Sequence, residues 1–302
     1  MGLDLWIAVG VIAATSGLAF VAGRRLSRKV YQRRSYLFSE CLVFSLVFAF
    51  GFSNTLRWAS LFPTPAAICW SNWLPIMLGF VSGLASNAKT MRTGSRPIVA
   101  SLLAMLSAAF LVSPVVLPWV CPIQTDRAAD WQDGVCLQSH ESSCGAAAAA
   151  TLLHQMDLIM PAQTSGRIGI REGYSNAEQM MAQACLTSHH GTSVLGLIRG
   201  LRIATEGSNC RVRIGDSSPS SWIINRQLPN IVVVQFPGQS DGRFESVRRL
   251  LGTDGEGHAV VVVGRDSDGM WRVADPAVGW QLWTDEELRT RFTGEAIYLA
   301  QR

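Results

Sequence analysis

The first 120 residues fall into four long apolar blocks, residues 3–21, 36–52, 66–86 and 98–120, separated by shorter polar stretches. Each is close to the roughly 20 residues a helix needs to cross the hydrocarbon core of a bilayer. Beyond residue 120 no apolar run is long enough to span. The pattern predicts a four-helix transmembrane bundle over residues 1–120, followed by a domain with its own core over residues 121–302.

The second region changes period partway along. "SSCGAAAAATLLHQMDL" places serines before strong helix formers, and "NAEQMMAQACL" and "SVLGLIRGLRIATEG" show helical apolar periodicity, with Asn176 and Ser193 as candidate caps. Four later segments are short, largely β-branched and bounded by Gly, Pro, Asn or Asp: "NIVVVQF" (230–236), "HAVVVVGR" (258–265), "MWRVAD" (270–275) and "AIYLAQ" (296–301). Helices first and an antiparallel sheet afterwards define an α+β domain.

Composition agrees with the blocks. At 48% hydrophobic and 16% charged residues, with a mean hydropathy of +0.21, the chain is too apolar for an ordinary soluble protein of this size. Charge then orients it. Arg24, Arg25, Arg28, Lys29, Arg33 and Arg34 follow the first block, and Lys89, Arg92 and Arg96 separate the third from the fourth, whereas Arg57 stands alone between the second and third. The positive-inside rule puts both basic loops in the cytoplasm, and so the N-terminus and the C-terminal domain outside a multi-pass plasma (inner) membrane. Trp6, Trp58, Trp70, Trp73 and Trp119 then fall at outer ends, as an interfacial belt does. The first block lacks a basic region ahead of it and reads as a retained helix, not a cleaved signal.

Three function classes are disfavoured. Few ionisable groups beyond Glu40 lie in the blocks, so the bundle reads as an anchor and not a transport path. No G-x-x-x-x-G-K-[ST] motif provides an ATPase motor. The net charge of +4 comes largely from the cytoplasmic loops and implies no nucleic-acid partner.

Candidate chemistry centres on "CLQSHESSCGAAAAATLLHQM", residues 136–156. Cys144 can be a small packing residue, a disulfide half, a metal ligand or a nucleophile. At the start of a helix its thiolate is favoured by the dipole. A nucleophile needs a base, and His258 opens a strand beside Gly257. Counting back across the "DSDG" turn (266–269) places Asp275 opposite His258 to within about two residues, so imidazole and carboxylate can meet on neighbouring strands. Gln138, six residues before Cys144, can point its amide over the sulfur as an oxyanion donor. Cys136, His140 and Cys144 also have a ligand-like spacing, with His189 and His190 available, but no C-x-x-C or H-x-x-x-H completes an ordinary zinc site.

Four segments in order, "QSHESSCGAAA", "GTSVLGL" (191–197), "GHAVVVVG" (257–264) and "VADPAVGWQLWTDEELRTRFTG" (273–294), resemble the bacteriocin-processing, double-glycine leader peptidases, a branch of the papain-like cysteine peptidases. The resemblance covers nearly all of residues 136–302. It implies Cys144 as nucleophile, His258 as general base and acid, Asp275 as orienting carboxylate and Gln138 as oxyanion donor, with no metal or organic cofactor. It also implies a peptide or protein substrate, and a separate transporter or membrane partner in addition to the lipid bilayer. The chain departs from family members that process bacteriocin leaders on the cytosolic side of an ABC exporter, because it has no ATPase motif and its charge pattern puts the domain outside. The segment "PGQSDGRFESVRRLLGTDGE" (237–256) reads as an inserted loop beside the base that gates or shapes the site. Competing functions are a catalytically silent, membrane-tethered peptide-binding module, and an amidase or acyltransferase acting on cell-wall peptides.

The other cysteines bear on compartment. Cys41 and Cys69 lie in apolar blocks as packing residues; Cys121, Cys136, Cys185 and Cys210 remain outside once Cys144 is set aside. Two disulfides, Cys121–Cys136 and Cys185–Cys210, are the expectation for an oxidising exterior.

Overall fold

The computed structural model describes residues 2–29, 34–53, 55–87, 92–125, 129–158, 176–235 and 257–301. The chain divides into two units, Met1–Leu117 and Pro118–Arg302.

The first unit is helical: α1 (Leu3–Lys29), α2 (Arg34–Gly51), α3 (Arg57–Leu61), α4 (Ala67–Trp70), α5 (Leu74–Ala85) and α6 (Ser95–Val120). Three stretches, Leu3–Arg28, Ala67–Ala85 and Ser95–Val120, are long and apolar enough to cross a membrane, and the apolar part of α2, Tyr36–Gly51, is shorter. Among the described residues, then, three of the four predicted blocks hold stretches of spanning length, and the second forms a shorter apolar helix. The third block also turns between α4 and α5, where Pro75, in the first turn of α5, cannot donate a backbone hydrogen bond.

Small residues let these helices meet. A Cβ on Gly83 would lie 2.1 Å from the Phe20 carbonyl oxygen, and one on Gly23 2.3 Å from that of Phe80. The backbones of α1 and α5 are thus in direct contact. Hydroxyls add polar ties of the kind that hold helices together in an apolar solvent: Ser16 of α1 and Ser107 of α6 each donate to the Pro75 carbonyl at 2.8 Å, and Ser82 of α5 donates to the Ala100 carbonyl at 2.6 Å.

The second unit is α+β. A hairpin, β1 (Asp130–Gln132) and β2 (Val135–Leu137), leads to α7 (Cys144–Gln155), α8 (Ala177–Ala184) and α9 (Val194–Ala204). There follow β3 (Cys210–Ile214), α10 (Pro219–Ile224), β4 (Asn230–Gln235), β5 (Gly257–Arg265), β6 (Trp271–Asp275), β7 (Gly279–Trp283), α11 (Asp285–Arg291) and β8 (Phe292–Gln301). Six strands form one sheet in the order β3-β8-β4-β5-β6-β7, with every pair antiparallel. Val232, Val234, Val260, Val262, Trp271, Val273 and Ala296 share a core with Trp222 of α10 and Leu288 of α11. Each fully buried valine there contributes on the order of 1.5–3 kcal/mol relative to exposure. Strand alternation sends Ile231, Val261 and Ala274, also fully buried, to the opposite side. Ala146 to Ala150 of α7 are fully buried as well, and having nothing beyond Cβ they allow the helix to lie close on β5.

Several elements escape a reading by hydrophobic pattern. β3 ("CRVRI") carries two arginines and β7 ("GWQLW") is half exposed, so neither shows a strong apolar run. β8 starts at Phe292, four residues earlier than its β-branched part suggests. The β1–β2 turn is Asp133-Gly134, with φ of 50° and 84°, a two-residue hairpin signal that "QDGV" displays openly. Likewise "TDEE" announces α11: the Thr284 hydroxyl accepts from the Glu287 amide at 3.1 Å, and Glu287 accepts from the Thr284 amide at 2.8 Å. Thr284→Ala is expected to destabilise this unit by about 1 kcal/mol. In thermal unfolding of the whole chain followed by near-ultraviolet circular dichroism, that appears as a Tm lower by ~2–4 °C. The expected inserted loop at 237–256 lies outside the described residues.

Candidate active site

Register decides whether His258 and Asp275 meet. Across the β5–β6 turn Arg265 pairs with Trp271 and Gly264 with Arg272, but beyond an irregularity at Val263 the pairs become Val262 with Val273 and Val261 with Ala274. The extra residue is a β-bulge. Continued one step, this register sets Asp275 opposite Val260, two residues from His258 and on the same face. Without the bulge Asp275 would oppose Val261, and its side chain would emerge from the other face of the sheet. With it, His258 Nε2 and Asp275 Oδ1 lie 2.7 Å apart, the carboxylate only 4% exposed and the imidazole 13%. Asp275 Oδ1 also accepts the Ala277 amide at 2.8 Å, which holds the carboxylate against rotation.

Cys144 is the first residue of α7. The preceding turn is tightly tied: the Ser143 hydroxyl donates to the His140 carbonyl at 2.6 Å and accepts the His140 amide at 3.1 Å, while the Ser142 amide donates to His140 Nδ1 at 3.1 Å. Ser143 thus occupies the cap position without a side-chain capping bond to the helix. Its hydroxyl shapes the loop instead. Gly145 admits the segment that carries the second matching motif, since a Cβ there would lie 2.8 Å from Thr192 Cβ.

Burial pushes the Cys144 thiol up, but a hydrogen bond from His258, its positive charge, and the amides of Ala259 and Gly145 together hold it below the ordinary thiol range. For His258, burial acts downward and is outweighed by hydrogen bonds and charge from Asp275 and Cys144, which raise it to about 9. Because His258 Nε2 is committed to Asp275, Nδ1 is left for the sulfur. The two groups titrate as a pair, and the favoured state between their limits is thiolate with imidazolium. An activated sulfur, a proton donor beside it and a carboxylate steadying the donor can carry out acyl transfer.

Gln138 follows β2, and its amide donates to the Pro276 carbonyl at 2.8 Å, joining the loop before Cys144 to the turn after Asp275. Its Oε1 is buried and has no hydrogen-bond partner among the described residues. This oxygen is therefore buried without being consumed by a structural bond. Cys144 and Asp275 are each linked directly to His258; Gln138 is linked to this group through backbone.

Two residues here carry no signal in the sequence. Glu178, in the first turn of α8, is fully buried and accepts both the amide and the hydroxyl of Ser139, at 2.9 and 2.7 Å. A helical periodicity predicts α8 but not what a polar residue on it reaches 39 positions upstream.

All seven cysteines are free thiols, which corrects the expectation of Cys121–Cys136 and Cys185–Cys210 disulfides. Cys136 is fully enclosed, and burial, with the nearby carboxylates of Glu178 and Asp130, pushes its thiol up to about 12. Cys185 is spent on helix packing: a Cβ on Gly200 of α9 would lie 2.2 Å from its sulfur. The outward orientation thereby loses the support that paired cysteines were expected to lend. The rings of His140 and His189 lie 5.3 Å apart, and those of His189 and His190 6.4 Å. Among the described residues no group of three or more His, Cys, Asp or Glu is arranged to hold a metal ion.

No family model matches the chain, and no curated protein does. Solved structures to which it is similar are a protease and two peptidase domains. One is a double glycine motif protease from an AMS/PCAT transporter in complex with the leader peptide, at 19% identity and a TM-score of 0.38, covering 60% of this chain and 99% of that one. Another is the peptidase domain of Streptococcus ComA, a bi-functional ABC transporter involved in a quorum sensing pathway, at 20% identity and a TM-score of 0.37, covering 55% and 96%. The Streptococcus mutans ComA peptidase domain gives 18% identity and a TM-score of 0.33, covering 58% and 99%.

Proposed function

We propose that the chain is a membrane-anchored, papain-like cysteine peptidase that hydrolyses peptide bonds, related to the double-glycine leader peptidases. The observation that carries this reading is the linkage of Cys144, His258 and Asp275, with the imidazole between a depressed thiol and a buried carboxylate. The Cys144 thiolate attacks the scissile carbonyl carbon, and the oxyanion that forms is held by Gln138 and the Cys144 amide. His258 gives its Nδ1 proton to the leaving amine as the carbon–nitrogen bond breaks. Water, deprotonated by the same nitrogen, then releases the acyl group from sulfur. Asp275 keeps the imidazole oriented and stabilises its charged form.

On this reading the apolar helices anchor the chemistry at a membrane, which the length and composition of three of them support. Arg34–Gly51 has 18 residues, which at 1.5 Å per residue reach ~27 Å, just short of a hydrocarbon core of about 30 Å. Three crossings would leave the two basic loops on opposite sides. A fourth, through α2, brings both into the cytoplasm and puts the domain outside a multi-pass plasma membrane. An outward peptidase suits a peptide or protein delivered by a transporter or other membrane partner.

Iodoacetamide labelling of the whole chain in detergent, mapped by mass spectrometry across pH, tests the chemistry. Rapid labelling of Cys144 at pH 7, well below the ordinary thiol pKa of about 8.5, is the expected result. Slow labelling removes the peptidase and leaves a tethered peptide-binding module. In sealed right-side-out vesicles, a membrane-impermeant maleimide is expected to reach Cys144. Labelling only in inverted vesicles would reverse the orientation.

A further inference from the structure

Gln138 is held at both ends. On one side its own amide donates to Pro276 at 2.8 Å. On the other, the next residue, Ser139, is gripped twice by a single carboxylate: amide to Glu178 Oε1 at 2.9 Å, hydroxyl to Oε2 at 2.7 Å. Glu178 is 0% exposed, although a carboxylate is among the least favourable groups to bury. Ser139, by contrast, is itself exposed, between the half-buried Gln138 and His140. A residue needed only to fill space between α8 and its neighbours would be apolar, because replacing buried charge by well-packed hydrocarbon is often neutral or stabilising. What Glu178 adds is a fixed direction for the backbone at Ser139, and hence for the side chain that leaves the chain one residue earlier. That side chain ends in the buried, unpartnered Gln138 Oε1, so its aim is not set by a bond at its own tip.

We propose that Glu178 is a positioning residue for the oxyanion donor: through Ser139 it sets the place of the Gln138 amide before substrate arrives. This rests on the peptidase reading above. Preorganised donors act where charge develops and need no reorganisation at the moment of reaction. A loosened Ser139 therefore weakens catalysis while leaving the thiolate–imidazolium pair untouched.

Two reagents separate these effects on the whole chain in detergent. Iodoacetamide alkylates Cys144 by direct displacement of iodide, with no oxyanion. p-Nitrophenyl acetate acylates it through a tetrahedral oxyanion: a sulfur–carbon bond forms and p-nitrophenolate leaves. Glu178→Ala is expected to slow the acylation burst by on the order of 10-fold while alkylation stays within about 2-fold. Glu178→Gln, whose amide can accept from the Ser139 N–H and donate to its hydroxyl, should stay within about 3-fold of the original burst. Ser139→Ala, a surface change that keeps the fold should Glu178→Ala not, loses one of the two bonds and is expected to slow acylation about 3-fold. Placed in a Gln138→Ala background, Glu178→Ala should add less than about 2-fold, since both act on one group.

Loss of alkylation and acylation in parallel would mark Glu178 as merely structural and overturn the proposal. So would an unchanged burst, or a full independent loss in the Gln138→Ala background. If Cys144 of the unaltered chain alkylates like an ordinary thiol, the peptidase reading fails first, and visibly so before any variant is made.

Discussion

Replacing His258 with alanine is expected to lower peptide hydrolysis by on the order of 10⁴-fold, because one side chain supplies both the charge that keeps Cys144 ionised and the proton for the leaving amine. Cys144→Ala removes the covalent route altogether. The pH profile gives the sharper test. Cys144 is held below the ordinary thiol range, so as pH falls through its pKa the nucleophile is protonated and kcat/KM drops. His258 is raised to about 9, so as pH rises through that value the imidazolium loses the proton it must donate, and kcat/KM drops again. The result is a bell whose alkaline limb lies near 9. Asp275→Asn removes a hydrogen bond and a charge that raise His258, and should move that limb toward neutrality. In His258→Ala the alkylation of Cys144 should lose its neutral-pH plateau and rise only as the thiol itself ionises, at a pKa that burial then pushes up. A His258→Ala chain that alkylates at pH 7 as fast as the original would mean that the thiolate owes nothing to the imidazole.

On the proposed mechanism, Gln138→Ala is expected to slow hydrolysis by about 10²–10³-fold, the loss of one oxyanion donor. Alkylation of Cys144 by iodoacetamide should be unaffected, because Gln138 makes no hydrogen bond to Cys144, His258 or Asp275 among the described residues. The loss should fall on kcat more than on KM, since the interaction strengthens as the carbonyl becomes an oxyanion. Equal loss in alkylation would instead show that removing the side chain had disturbed the turn at Pro276, to which the Gln138 backbone is tied.

Legibility differs from residue to residue. Cys144 and α7 could be read directly, because an alanine run after a serine-rich turn has little alternative to a helix start. The strands at 230–235 and 257–265 were equally open, because β-branched runs bounded by turn residues have few other uses. Apolar block length likewise predicted helices in all four blocks, but block length alone could not show that the apolar helix of the second, Tyr36–Gly51, is shorter than the other three stretches. The cysteine pairing failed for a related reason. Parity of count contains no geometry, and Cys136 and Cys185 turned out to be enclosed in packing.

The sequence by itself determined which chemistry is available and roughly where along the chain it lies, since a nucleophile at a helix start, a base at a strand end and a carboxylate after a tight turn are all local features. Only the tertiary structure decided that they lie together. One extra residue at Val263 shifts the β5–β6 register so that Asp275 opposes Val260 and shares a face with His258. Nothing in the local pattern of "VVVVGR" distinguishes a strand that bulges there from one that does not. The same holds for Glu178 and Ser139, whose hydrogen bonds join positions 39 residues apart. Such contacts depend on how whole elements pack, and packing is a property of the folded chain, not of any short stretch of it.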